Sequence, residues 1–108
     1  MGSAPLMTIP TLSVLSSLLD CGSDVVYGLE IARATDLKSG TLYPILARLE
    51  RAGWVESSWE KVEASEAGRP RRRYYRLTGE GAESAARALN EASVRLRPGL
   101  LRPNEGLA

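Results

Sequence analysis

Apolar residues recur along this chain in four stripes of helical period and one stretch of looser alternation. From Thr8, Ile9, Leu12, Leu15 and Leu19 return at three and four residues, with Val14 and Leu18 widening the stripe, and the spacing predicts a first helix. Cys21-Gly22-Ser23 ends it, Gly22 being suited to the left-handed position past the last turn. A short second helix, capped by Ser23 or Asp24, carries Tyr27, Ile31 and Ala34, and Thr35-Asp36-Leu37-Lys38 is a tight break. Over residues 39–52 Leu42, Ile45, Leu46 and Leu49 stand at i, i+3, i+4 and i+7, an amphipathic helix capped within Ser39–Thr41. Pro44 is tolerable there if it falls in the first turn, and Gly53 closes the helix.

The code then changes. Trp54 to Lys61 favours β structure, residues 62–70 are turn material, and Arg73-Tyr74-Tyr75-Arg76-Leu77 forms a second strand, giving a hairpin with a long tip. Thr78 caps a last helix whose stripe is Ala82, Ala85, Ala86, Leu89, Ala92 and Leu96, with Glu80 and Glu83 near its positive end. Pro98 and Gly99 stop it. Residues 1–7 form a flexible start and 98–108 a frayed tail. The expected fold is mainly α with a β-hairpin. It is a winged helix-turn-helix over residues 8–77, whose helix pair is 26–34 and 39–52, followed by a C-terminal helix over 78–97.

Composition narrows the function. A chain of 108 residues is one domain, and the absence of histidine with a single cysteine, Cys21, removes most routes to enzyme chemistry. No imidazole base, His-containing zinc site, internal disulfide or multi-cysteine cluster can form within it. A small hydrolase using Ser or Lys has almost no support without histidine or an elbow motif. No cofactor and no metal are expected. The stretch Leu12–Leu19 is too short and serine-interrupted to span a bilayer, and no basic region precedes an apolar core, so the expectation is a soluble cytoplasmic protein with no membrane partner.

Charge matters once it is located. Lys and Arg total 14 against 13 Asp and Glu, a net +1, but Arg69, Arg71, Arg72, Arg73 and Arg76 fall within eight residues that hold no acid. Glu56, Glu60, Glu63 and Glu66 precede them, opposed by Lys61 alone. One basic strip on a neutral protein suits a local polyanion contact. The helix over 39–52 turns Thr41, Pro44, Arg48 and Arg51 away from its leucine face, with Tyr43 flanking. A recognition helix meets base edges through its N-terminal residues, and its free N–H groups favour phosphate. Lys38, Ser39, Gly40, Thr41, Tyr43 and Arg48 are therefore the expected double-stranded DNA contacts, against the plainer reading of solvated charges and a packing tyrosine. Arg69, Arg71 and Arg72 are the expected wing contacts, although strand alternation requires at least one of Arg72, Arg73 and Arg76 to pair with a glutamate across the hairpin. Trp54, Trp59, Tyr74 and Tyr75 read as the hairpin's packing layer, and Cys21 as a small core residue. The stripes Leu12, Leu15, Leu19 and Ala85, Leu89, Leu96 exceed what so small a core can bury, which predicts a homodimer held by the first and last helices.

Several local motifs occur together: Tyr27-Gly28, Gly40-Thr41-Leu42-Tyr43-Pro44, Leu49-Glu50 before Gly53, and Tyr75-Arg76-Leu77-Thr78 with Gly81. With them the chain resembles, over residues 8–90, the PadR family of bacterial winged-helix transcriptional regulators. The resemblance implies a homodimer in which the C-terminal helix packs on the partner's N-terminal region, bound to a palindromic operator, usually as a repressor. It implies that Lys38, Ser39, Gly40, Thr41 and Tyr43 match the recognition segment and Arg69, Arg71 and Arg72 the basic wing. The single C-terminal helix is similar to the smaller subgroup, some of whose members bind planar drugs between interfacial tryptophans. The last helix here has Ala86, Leu89 and Val94 and no aromatic residue, leaving a small-molecule effector without an expected class. The competing reading is a winged-helix protein-interaction module, its acidic first strand facing a basic protein.

Overall fold

The fold follows from where each helix can start and stop. Thr8 begins α1 (Ile9–Asp20) by accepting the Thr11 N–H at 3.2 Å, and Gly22, at φ +63°, turns the chain away from its end. α2 (Gly28–Thr35) ends on Asp36 in the left-handed conformation, and α3 (Ser39–Arg51) follows at once. Gly53, at φ +83°, redirects the chain from α3 into β2 (Val55–Trp59), which pairs antiparallel with β3 (Arg73–Leu77). α4 (Gly79–Leu96) is the last helix among the described residues. This computed structural model describes residues 5–61, 66 and 68–96. The expected tail at 98–108, most of the expected flexible start, and Glu63 lie outside the described residues.

Three local differences from the sequence reading have physical causes. Val26 and Tyr27 do not begin the second helix; they form β1 (Val26–Tyr27), paired with Tyr75 and Tyr74, so the hairpin is a three-stranded sheet in the order β1-β3-β2. A β-branched and an aromatic residue beside an open strand edge gain a ladder there that a helix end could not supply. Lys38, not a residue within Ser39–Thr41, is the N-cap of α3, with no side-chain hydrogen bond. Pro44 therefore lies beyond the first turn, and the hydrogen bond it denies is that of the exposed Gly40, whose carbonyl can turn to water.

The core joins all the helices to the sheet through Val14, Leu15 and Leu18 of α1, Ile31 of α2, the four predicted apolar residues of α3, Trp54, Val55, Tyr75 and Leu77, and Ala85 of α4. Leu15 and Ala85 are 0% exposed within the single chain. They are corrected from interface residues to core residues, because a side chain already surrounded by its own protomer has no surface left for a partner. Cys21 caps α1 half-buried instead of joining the core, and burial, with Glu30, Asp20 and Asp24 nearby, pushes its thiol pKa up. No helix among the described residues is long and apolar enough to cross a membrane.

A strap at the root of the hairpin fixes α4. The Thr78 N–H donates to the Trp54 carbonyl at 2.9 Å, its hydroxyl donates to the Gly53 carbonyl at 2.8 Å, and its oxygen accepts the Gly81 N–H at 2.9 Å. Gly81 lies so close that a β-carbon there would fall on the Trp54 carbonyl. This explains why threonine and glycine occur together at the start of α4.

Candidate nucleic-acid interface

Helix N-termini here differ in how far side chains close them: α1 and α4 each have a threonine cap, whereas the N-cap residues of α2 and α3 make no side-chain capping hydrogen bond. Thr8 serves α1, Thr78 serves α4, and Glu30 folds back to accept the Tyr27 N–H at 2.8 Å at the start of α2. α3 begins at Lys38, which has no acceptor to give, and Lys38, Ser39, Gly40 and Thr41 are all exposed. Its first backbone donors and the positive end of its dipole face solvent, a ready cap position for an anion. Arg48 is exposed further along the same helix.

Tyr43 connects this helix end to the rest of the interface. Its ring lies against the Gly28 α-carbon, where any β-carbon would clash with the phenol, and 6.5 Å from the Tyr75 ring. It is 42% exposed, so it both packs α3 on α2 and presents an edge outward. A groove of about 440 Å³ opens here between the start of α2, Tyr43, Trp59 and Arg71 to Arg73 of the wing. The structure thus brings Tyr43 together with Arg71 and Arg72, two regions almost thirty residues apart in sequence.

The five arginines of the basic strip are not equivalent. Arg69 places its two terminal nitrogens on the two carboxylate oxygens of Glu60, at 2.8 and 2.9 Å. Its charge is neutralised by a bidentate pair, so Arg69, expected as a wing contact for DNA, is held by the wing's own acid. Arg73 donates to Ser57 at 2.7 Å, reaches Glu50 at 4.0 Å and lies over the Trp59 ring. Arg76 pairs with Glu56 directly across the hairpin at 3.3 Å, the pairing that alternation required. Arg71 donates from Nε to the Glu60 carbonyl at 3.2 Å, and Arg72 lies 4.8 Å over the Tyr27 ring. Both are exposed, and among the described residues neither meets a carboxylate.

Glu60 and Tyr27 are the residues that sequence reasoning missed. Glu60 is 5% exposed, although it read as one of several acids on a strand. The Arg69 hydrogen bonds, outweighing burial and aided by the Arg72 N–H, lower its pKa to about 2. Tyr27 stacks on Tyr74 with ring centroids 4.8 Å apart, and its hydroxyl lies 3.3 Å from that of Tyr74 and 3.5 Å from Glu60. Of the four residues read as a packing layer, Trp54 and Tyr75 are in the core, while Trp59 is 55% exposed beneath Arg73.

A second, apolar groove of about 460 Å³ lies between α1 and α4, with Leu12 and Leu89 in its walls beside Ile9, Ser16 and Ala92. Leu19 is half-buried nearby on α1, and Leu96 ends α4 with its side chain outside the described residues. Ile9 and Val94 are 64% and 56% exposed on these same two helices.

Compared with known families, the chain matches the Transcriptional regulator PadR-like family over residues 12–87. Among solved structures it is similar to smu.1704 from Streptococcus mutans UA159, at 27% identity over 89% of this chain and 88% of that one, with a TM-score of 0.65. A PadR family transcription regulator from Clostridium difficile R20291 shares 27% identity over 94% of this chain and 100% of its own, with a TM-score of 0.62. The PcaV regulator from Streptomyces coelicolor, solved with its natural ligand, shares the fold at 22% identity, covering 94% of this chain and 69% of its own, with a TM-score of 0.66. No curated protein matches the chain.

Proposed function

The chain belongs to the PadR-like family of transcriptional regulators, which are DNA-binding proteins, and we propose that it acts as a homodimeric repressor on an inverted-repeat operator. The observation that carries this reading is one surface: the uncapped start of α3 beside a wing that holds two arginines meeting no carboxylate among the described residues. Lys38, Ser39, Gly40 and Thr41 meet the major groove, with Tyr43 at its edge and Arg48 further along, while Arg71 and Arg72 meet the flanking phosphates. A solvated, purely structural face gives no reason for Tyr43, near the exposed start of α3, to share a groove with two wing arginines that meet no carboxylate among the described residues.

The second groove supports the homodimer. Leu12 and Leu89 of this groove, with Leu19 on the same helix as Leu12, cover their apolar area against a second copy, and the two-fold axis places two recognition helices on one face. Half-sites about one helical turn (~10 bp) apart, or a small multiple of it, match that symmetry. A small-molecule effector is compatible with this arrangement, its chemical class unassigned. Regulation takes place wherever the promoter DNA is, with no membrane step. The test is footprinting of the DNA upstream of the protein's own reading frame, at stated salt. Two related half-sites protected together support the proposal, and a single asymmetric site bound by one chain overturns it.

A further inference from the structure

We propose that Glu60 is a positioning residue of the DNA interface, fixing the base of the wing so that Arg71 and Arg72 meet the duplex in register with α3. The inference rests on the DNA-binding reading above and assigns a part to a buried acid that this reading does not use. Near a polyanion an acid is expected to be harmful, which makes a buried one at the wing's base worth explaining.

Every polar atom of Glu60 makes a hydrogen bond to Arg69, Arg71 or Arg72 of the wing. Its carboxylate takes both terminal nitrogens of Arg69 and, at 3.1 Å, the Arg72 N–H. Its own N–H donates to the Arg72 carbonyl at 2.8 Å, and its carbonyl accepts from Arg71 Nε at 3.2 Å. The Tyr27 hydroxyl reaches the same carboxylate, and the Tyr27 ring carries the Arg72 guanidinium on its face. Both arginines assigned to phosphate are thus placed through Glu60 or through the tyrosine that touches it. Tyr27 immediately precedes α2, so the same contacts set the wing's position against the helix-turn-helix.

Two accounts of Glu60 predict opposite signs. If the carboxylate only neutralises Arg69, replacing it raises the net charge by one by freeing Arg69, and every DNA is bound more tightly with a steeper salt dependence. If it positions the wing, Glu60→Gln loses the fork, since a glutamine presents an NH2 to one Arg69 nitrogen. The unheld arginines then still attract any polyanion but no longer dock in register.

The experiment titrates the full-length protein with its promoter fragment and with a random-sequence fragment of equal length, for wild type, Glu60→Gln, Arg69→Gln and the double variant. Positioning predicts that Glu60→Gln weakens promoter binding about tenfold while random-sequence binding stays equal or tightens. Arg69→Gln has a similar effect on the promoter, and the double variant lies within about threefold of either single one, because the two side chains act as a unit. Promoter binding by Glu60→Gln that equals or exceeds wild type overturns the proposal, as do single effects that multiply in the double variant. Helical circular dichroism identifies a variant that fails to fold, in which case Arg69→Gln decides on the same promoter-against-random comparison. Wild-type protein that binds neither fragment overturns the DNA-binding reading itself, and this role with it.

Discussion

Arg71 and Arg76 are exposed arginines of one basic strip, yet only one of them offers an uncompensated charge. Arg76 faces Glu56 at 3.3 Å across the hairpin, whereas Arg71 donates to a backbone carbonyl and meets no carboxylate among the described residues. A phosphate contact releases condensed counterions, lowering the slope of log K against log salt by about 0.9 per contact, or about 1.8 for a symmetric dimer that makes it twice. Arg71→Ala should therefore flatten the slope by that amount. Between 50 and 200 mM salt the advantage of wild type over this variant then shrinks roughly twelvefold. Arg76→Ala should leave the slope within about 0.3 of wild type, because the pair it breaks presents little net charge to the duplex.

Fluorescence anisotropy with a labelled promoter fragment at three salt concentrations measures both slopes. The comparison is internal, since each variant loses the same side chain from the same strip. Equal flattening by the two variants would refute the reasoning, because it would mean that the Arg76–Glu56 pair opens on DNA. An unchanged slope for Arg71→Ala would refute the assignment of Arg71 to the phosphates.

Thr41→Ala, at the exposed start of α3, should cost ~1–3 kcal/mol on the promoter and little on random DNA, as competition binding would show. Gly81→Ala puts a β-carbon on the Trp54 carbonyl and should destabilise the fold by about 3 kcal/mol in urea unfolding, whereas Gly79→Ala meets open space and should shift it by less than about 1 kcal/mol. Leu89→Asp sets a carboxylate into the α1–α4 groove and should abolish dimerisation in sedimentation; a wild-type monomer at micromolar concentration would refute the dimer. Because the Glu60 pKa falls from 4.5 to about 2 in the folded wing, its stabilising effect is complete above pH 4.5 and lost as pH falls toward 2. The Arg72 amide resonance should report that loss, and Glu60→Gln should remove the acid dependence from the wing.

Elements with a repeating pattern or a dedicated end residue were legible in the sequence. Thr8, Gly22, Gly53 and Thr78 stand where a cap or a left-handed turn is needed, and β3 has the bounds that its residues predicted. β1 was not legible, since two residues hold no period and their strand depends on an edge almost fifty positions away. The division of the apolar stripes was equally hidden. Leu12 and Leu15 belong to one helical pattern, but the position of α4 leaves the first in a groove and seals the second in the core. A stripe gives the direction in which a helix buries itself, not the depth at which its own protomer ends.

The basic strip shows the same limit in charge. By composition its arginines were interchangeable, and proximity to glutamates suggested pairing across the strands. Cross-strand pairing accounts for Arg76 alone. Arg69 pairs with Glu60 by closing a loop, through a fork that needs both carboxylate oxygens in one plane, and that closure displaces Arg71 onto a carbonyl and Arg72 onto an aromatic face. One buried acid thereby decides which arginines remain available. The affinity of such a wing for DNA depends on the number of cations left over after its own acids are satisfied, and their placement on where those acids hold the backbone. A substitution that makes the strip more basic can for this reason weaken recognition, a result that counting charges along the sequence would predict with the wrong sign.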